Sequence, residues 1–118
     1  MRKLLITIGV LALLIGGLSL TACGGGEQDP AVVGTWEWDM MPEWRYVFNE
    51  DGTGDRGVPG IETETFTWST NGDRLDIRRD QAPSGEIRNE RWTYRISGTS
   101  LALDSQQDST LSFTYNRR

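Results

Sequence analysis

Histidine is absent from this 118-residue sequence, and cysteine and lysine each occur once, as Cys23 and Lys3. Without histidine the chain lacks the commonest general base, the usual nucleophilic triads and the usual zinc ligands. A single cysteine excludes a disulfide within the chain. Carboxylate pairs are the remaining route to hydrolysis, and Glu64 and Glu90 are the candidate pair. We expect neither a metal nor a cofactor nor a catalytic residue, and therefore no enzymatic activity.

Long apolar runs are also absent, except for one at the N-terminus. Two basic residues precede an apolar stretch from Leu4 to Leu20, and small residues follow it, which is the layout of a secretory signal. The run Leu20-Thr21-Ala22-Cys23 resembles the cleavage and lipid-attachment site of bacterial lipoproteins. This resemblance implies that residues 1–22 are a removed signal peptide and that Cys23 carries acyl chains such as palmitate. The alternative is an uncleaved transmembrane helix, because the apolar run is near the lower limit for spanning a bilayer.

A short glycine-rich segment follows Cys23 and predicts a flexible tether over residues 23–30. Its reach is roughly 15 Å, which would hold the domain close to the membrane surface. Gly24, rather than aspartate, follows the lipid-bearing residue. By resemblance to lipoprotein sorting rules, this favours the outer membrane if the cell has two membranes, and the bacterial cell envelope in either case.

The charge of the mature chain is strongly unbalanced. Residues 23–118 contain ten arginines and all 17 acidic residues of the sequence, a formal net charge of −7. A chain this acidic is a poor partner for nucleic acid and has no polybasic segment to bind anionic lipid headgroups. Its 96 residues are enough for one small domain, which we place at residues 31–118.

Helical periodicity is missing from this domain, whereas apolar and polar residues alternate between turn signals. The pattern predicts eight strands at roughly Val33–Asp39, Trp44–Asn49, Thr53–Val58, Glu62–Thr70, Arg74–Asp80, Glu86–Ser97, Ser100–Asp104 and Thr110–Arg117. Large apolar residues share the predicted inward face: Trp36, Trp38, Trp44, Tyr46, Phe48, Phe66, Trp68, Leu75, Ile77, Trp92, Tyr94, Ile96, Leu101, Leu103, Leu111, Phe113 and Tyr115. Short connections and the absence of a covering helix predict an all-β, antiparallel, up-and-down barrel.

Several motifs resemble lipocalins, in particular small bacterial lipocalin-like domains. Val33-Gly34-Thr35-Trp36 contains the Gly-x-Trp element that opens lipocalin barrels, and the hairpin around Asp51-Gly52 and the Asn71-Gly72 turn continue the likeness. The resemblance implies that an arginine of the last strand stacks on Trp36, with Arg117 the nearest match and Arg118 the alternative. The chain is much shorter than a lipocalin and predicts no C-terminal helix, so a large ligand cavity is not implied.

Strand direction separates tight glycine turns at one end of the barrel from longer, partly apolar loops at the other end, which we call the mouth. One hypothesis is a shallow pocket there that binds a small apolar or amphiphilic ligand between Trp44, Trp68 and Trp92. Arg79 and Arg88 would then grip an anionic headgroup. The alternatives are a core filled by aromatic rings and a rim of mutually paired charges. A solid barrel would favour an interaction module that binds an envelope protein or a glycan.

Overall fold

Eight antiparallel strands follow one another along residues 27–118, the part of the chain that the computed structural model describes. The strands are β1 Gly34–Trp38, β2 Arg45–Phe48, β3 Thr53–Val58, β4 Glu62–Asn71, β5 Arg74–Arg79, β6 Asn89–Ser97, β7 Ser100–Ser105 and β8 Ser112–Arg117. The predicted signal peptide and Cys23 lie outside the described residues. Over residues 27–118, no helix has the length and apolar character to cross a bilayer.

Each strand pairs with the next along the chain, and β8 pairs with β1 to close the barrel. The closing register places Tyr115 opposite Trp38 and Arg117 opposite Trp36. Closure satisfies the backbone hydrogen bonds that an open sheet would leave at its two edge strands. The predicted all-β, up-and-down barrel of eight strands is confirmed.

Alternation along each strand decides which side chains enter the core. In β4, for example, Phe66, Trp68 and Thr70 are buried, while Thr67 and Asn71 between and beyond them are exposed. Within residues 27–118, thirteen apolar residues form the buried core: Val32, Trp36, Tyr46, Phe48, Phe66, Trp68, Leu75, Ile77, Trp92, Tyr94, Leu101, Leu103 and Tyr115. Position 54 requires glycine, because a Cβ atom there would lie 2.6 Å from the ring of Phe66, one of these core residues.

The N-terminal segment, residues 27–33, closes one end of the barrel. Residues 27–30, which the sequence predicts as part of the flexible tether, pack against the barrel instead, and Glu27 and Thr70 exchange two backbone hydrogen bonds, of 3.3 and 2.6 Å. Val32 is fully buried, and the hydroxyl of Tyr94 donates a 2.6 Å hydrogen bond to the carboxylate of Asp29. The amide of Gln28 donates to the carbonyl of Trp68 over 3.1 Å. We call this end, which also contains the tight turns at Gly52, Gly72 and Gly98, the closed end.

Two expectations differ from the structure at the mouth. Strand β6 begins at Asn89 rather than near Glu86, because the chain first makes a turn in which the Glu86 amide donates to the Pro83 carbonyl over 3.0 Å. Leu111 was predicted to face inward, and this is wrong. It precedes β8, in a turn closed by its own amide and the Asp108 carbonyl, and its side chain is 41% exposed.

Candidate functional site

A cavity of about 280 Å³ remains open at the mouth, above the filled part of the core. Its lining combines aromatic rings with one ion pair: Trp38, Trp44, Tyr46, Arg56, Glu90, Trp92, Phe113 and Tyr115. A wider funnel of about 880 Å³ adjoins it and shares Trp44 and Arg56. The loop after β3 and the loop after β5 form much of the funnel wall, so both spaces lie at the end opposite the N-terminal segment.

Aromatic contacts make one side of the cavity continuous. Trp38 lies between Trp44 and Phe113, with ring-centre distances of 6.4 and 5.9 Å and interplanar angles of 74° and 75°. Phe113 also contacts Trp92, at 5.9 Å and 65°. These are edge-to-face pairs, a preferred arrangement of aromatic rings. The wall thus joins β1, β6 and β8 with the loop that precedes β2.

Arg56 supplies the polar side of the cavity. Its Nη1 and Nη2 atoms donate to the two carboxylate oxygens of Glu90 over 2.8 and 2.6 Å. Its Nε atom donates to Glu64 over 3.0 Å, and Nη1 also donates to the Tyr46 hydroxyl over 2.9 Å. Trp92 completes this side by donating from its indole to Glu90 over 3.1 Å. The guanidinium, whose side chain is only 8% exposed, is therefore almost fully satisfied by the protein itself.

Sequence reasoning missed Arg56, although the strand pattern contains a signal for it. Arg56 shares its face of β3 with buried Gly54, and the register places it between Tyr46 of β2 and Glu64 of β4. An arginine in inward phase with a carboxylate directly opposite is the pattern of a buried ion pair. The contact with Glu90 carried no such signal, because β3 and β6 are not neighbours in the sheet.

Arg79 and Arg88, the two predicted ligand-binding arginines, are both occupied by the protein. Arg79 donates to Glu64 over 2.8 Å, to Glu86 over 2.9 Å and to the Ile87 carbonyl over 3.1 Å. Arg88 donates to the carbonyls of Arg79 and Asp80 over 3.0 and 2.8 Å. The geometry favours the alternative of paired rim charges over an arginine grip on an anion. We call Arg56, Glu64, Arg79, Glu86 and Glu90 the charge cluster.

Neighbouring arginines hold Glu64 in its ionised form. Burial opposes ionisation of Glu64, but hydrogen bonds and charges from Arg79 and Arg56 outweigh it and hold the pKa of Glu64 below its usual value of 4.5. A glycosidase needs one carboxylic acid whose pKa is raised. The Arg56 guanidinium also occupies the space between Glu64 and Glu90 where a scissile bond would have to lie.

The three predicted tryptophans are not brought together. Trp44 and Trp92 line the same cavity, as expected. Trp68 lies toward the closed end, where its indole donates to the carbonyls of Asn49 and Thr53 over 3.0 Å each. It packs edge-to-face on Phe48, so its role in this structure is to hold the β2–β3 turn against the core.

The Gly-x-Trp element forms a separate cluster at the closed end. The guanidinium carbon of Arg117 lies 4.1 Å from the centre of the Trp36 ring, which is the placement that the resemblance implies for Arg117. Arg117 also donates to the carbonyls of Val33 and Ala31 over 3.0 and 2.7 Å. Gly34, at φ 135°, lets the guanidinium pass, because a Cβ atom there would lie 2.6 Å from its Nη1 atom.

A protein-family profile matches most of the chain. The sequence profile of DUF5640, described as a family of unknown function, matches residues 30–118, a range that includes all eight strands. Neither the curated proteins nor the solved structures include a match to this sequence. Among residues 27–118, no group of three or more histidine, cysteine, aspartate or glutamate side chains is placed to hold a metal ion.

Proposed function

Because the chain belongs to DUF5640, a family of unknown function, we propose its role from the mouth of the barrel and from the N-terminal lipoprotein motif. The protein is a noncatalytic, lipid-anchored member of the bacterial cell envelope with a lipocalin-like barrel. It binds a small apolar or amphiphilic ligand in the mouth cavity.

The observation that carries this proposal is the open cavity beside the aromatic wall. The core below it is filled by rings such as Phe48 and Phe66, yet about 280 Å³ stays open among Trp38, Trp44, Trp92 and their neighbours. Binding sites for small molecules have apolar walls with a few fixed polar groups, which matches this lining. The volume is near the lower end for such sites, so we expect a small ligand or the apolar end of a larger one.

The anchor and the cavity lie at opposite ends of the domain. Residues 23–26 connect a lipidated Cys23 to the N-terminal segment at the closed end, and the tether is only a few residues long. The mouth would therefore face away from the anchoring membrane, and the ligand would come from the surrounding space. Palmitate labelling should mark the wild-type chain and leave a Cys23→Ala variant unlabelled, with the control Ser19→Ala labelled normally.

The binding function is tested by native mass spectrometry of protein extracted from its own membrane, together with tryptophan quenching by a panel of small apolar and amphiphilic molecules. We expect a copurified or added ligand to quench fluorescence in the wild-type protein. Trp44→Ala should weaken binding strongly, while Trp68→Phe, a change near the closed end, should preserve it. If no ligand copurifies and no member of the panel quenches, the proposal is wrong.

One observation favours a second candidate, a docking surface for another envelope protein. Among residues 27–118, the four most exposed large apolar side chains are Met40, Ile61, Ile87 and Leu111, with exposures from 41% to 83%, and all lie on loops around the mouth. If the mouth binds a protein, a photocrosslinker at position 40 should trap one defined partner in cells. The same probe at position 72, in a tight turn at the closed end, should not.

A further inference from the structure

Aromatic side chains form most of the lining of the mouth cavity. Of its eight lining residues, six are aromatic, and we call these six the aromatic box: Trp38, Trp44, Tyr46, Trp92, Phe113 and Tyr115. The face of an aromatic ring is electron-rich and attracts cations, with tryptophan the strongest of the three ring types. Three of the chain's five tryptophans lie in the aromatic box.

Carboxylates outnumber guanidiniums around the box. The charge cluster contains three glutamates against two arginines, and therefore has one net negative charge. Glu62 and Asp80 add two more carboxylates to the wall of the funnel, and Arg88, which donates to the Asp80 carbonyl, adds one guanidinium beside it. The mature chain itself has a formal net charge of −7. A funnel whose wall has an excess of negative charge raises the local concentration of cations and lowers that of anions.

An anion has no ready partner in this cavity. All three nitrogens of the Arg56 guanidinium already donate to Glu64, Glu90 or Tyr46. Four of the five N–H groups are used in these bonds, so an anion would gain at most the remaining N–H on Nη2. The anion would also lie beside the carboxylates of Glu64 and Glu90, and like charges at this distance repel each other.

The same hydrogen bonds distinguish between kinds of cation. One oxygen of Glu90 accepts from Arg56 and Trp92, and the other accepts from Arg56. A primary ammonium brings three N–H donors, more than the one acceptor site that these bonds leave on Glu90, and a donor without an acceptor in an apolar cavity is costly. A nitrogen with alkyl groups in place of hydrogens brings no such donor, and its methyl groups suit an aromatic wall.

We propose that the ligand of the mouth is a small quaternary ammonium compound, held by the aromatic box under the negative potential of the charge cluster. This inference rests on the proposed binding function and specifies its ligand class.

The first experiment compares choline with 3,3-dimethylbutan-1-ol, which has the same shape but carbon in place of the charged nitrogen. The full chain is placed in nanodiscs of phosphatidylglycerol, so that no choline headgroup competes, and binding is measured by calorimetry and tryptophan fluorescence. We expect choline to bind about tenfold more tightly than the alcohol, and more weakly as salt increases.

Two other outcomes are informative in different ways. Equal affinities, or binding only by uncharged molecules of the apolar panel, would overturn the cation inference and leave the proposed mouth site intact. Absence of binding by choline, by the alcohol and by every panel member would overturn both.

The second experiment separates the attraction of the aromatic ring for a cation from the apolar contact that the side chain makes. In a Trp44→Leu variant we expect choline affinity to fall about tenfold while the affinity of the alcohol changes little. If this variant does not fold, fluorinated tryptophans incorporated into the wild-type chain serve instead, because each fluorine weakens the ring's attraction for cations with little change in size. Choline affinity that stays constant as fluorine is added would refute the role of the aromatic box.

Discussion

Arg56 and Glu90 meet across the interior of the barrel through two parallel hydrogen bonds of 2.8 and 2.6 Å. They come from β3 and β6, which are separated in the sheet by β4 and β5. The pair therefore braces opposite sides of the wall and separates the filled core from the open cavity. Its bidentate geometry is the strongest that an arginine and a carboxylate can form.

The Arg56–Glu90 pair predicts a large loss of stability when only one partner is removed. In Arg56→Met, Glu90 and Glu64 would remain without their shared guanidinium, and Glu90 is only 16% exposed. We expect the free energy of unfolding to fall by about 3–5 kcal/mol, because the cost is that of a poorly solvated charge without a partner. Urea denaturation measures this loss.

The matched control is Arg95→Met, which changes an exposed arginine on the outer face of β6. We expect this control to shift stability by no more than about 0.5 kcal/mol. Adding Glu90→Leu to Arg56→Met should recover part of the loss, since the unpaired charge is then gone. A loss below about 1 kcal/mol for Arg56→Met would show that the pair is solvated and contributes little.

Acid should destabilise the protein through Glu64. Since the folded pKa of Glu64 lies below its usual value of 4.5, the unfolded chain takes up a proton more readily than the folded one. The stability that Glu64 contributes is then complete above about pH 5 and is lost as the pH falls through the folded pKa.

Urea denaturation between pH 7 and pH 3 measures this loss. The urea midpoint should decline less steeply with falling pH in Glu64→Gln than in the wild-type protein. Glu62→Gln, an exposed change on the same strand, should keep the wild-type slope; equal slopes in all three proteins would exclude this role of Glu64.

All three tyrosines should resist ionisation in the folded protein. Burial raises the pKa of Tyr46 to about 12, with Glu90 and Glu64 adding to the effect and Arg56 opposing it. Burial, and then the hydrogen bond to Asp29, raises the pKa of Tyr94 to about 12. Burial also raises the pKa of Tyr115, and the neighbouring Tyr46 adds to it.

The tyrosine prediction is checked by ultraviolet absorbance at increasing pH. The folded protein should show little tyrosinate at pH 10 to 11, whereas protein in guanidinium should titrate near the ordinary value of about 10. Because the folded state keeps its phenolic protons, stability should fall as the pH rises above about 10. A folded chain with even one tyrosine that titrates normally would contradict the burial described above.

The stack of Arg117 on Trp36 predicts a difference between two adjacent arginines. Arg117→Ala removes the ring contact and two hydrogen bonds to backbone carbonyls, and we expect a loss of about 1–2 kcal/mol. Arg118→Ala removes an ion pair to Glu37 of 3.7 Å on a side chain that is 53% exposed, and we expect less than about 0.5 kcal/mol. Thermal unfolding of both variants decides the matter. Equal losses of stability in the two variants would show that the stack of Arg117 on Trp36 does not stabilise the fold.

Much of the fold was predictable because strand geometry is local. The pleat repeats every two residues, so the alternation in Phe66-Thr67-Trp68 is enough to separate an inner face from an outer face. Glycine turns such as Asn71-Gly72 then set the order of the strands. The boundary of β6 was less predictable, since the turn between Pro83 and Glu86 delays the start of the strand until Asn89.

Less of the candidate site was predictable. Strand parity placed Trp44, Trp68 and Trp92 on inward faces, but it did not place them along the barrel axis. Trp68 was wrongly grouped with the mouth, although it lies three residues before Asn71 of the Asn71-Gly72 turn at the closed end. The inward charges near the mouth were recognised as a group. Their partners were not, because Arg56 and Glu90 are 34 residues apart and come from strands that do not touch.

The sequence by itself determined the eight strands, most of their inward faces and the closed meander, since these follow from alternation and turn chemistry. The stack of an arginine on Trp36 was what the lipocalin resemblance implied, with Arg117 and Arg118 both open. Only the tertiary structure decided that the mouth keeps an open cavity, that Arg56 forms its polar side and that the rim arginines are already paired. The physical reason is that closure brings side chains of distant strands together at separations of a few ångströms. No local pattern in the chain encodes those separations.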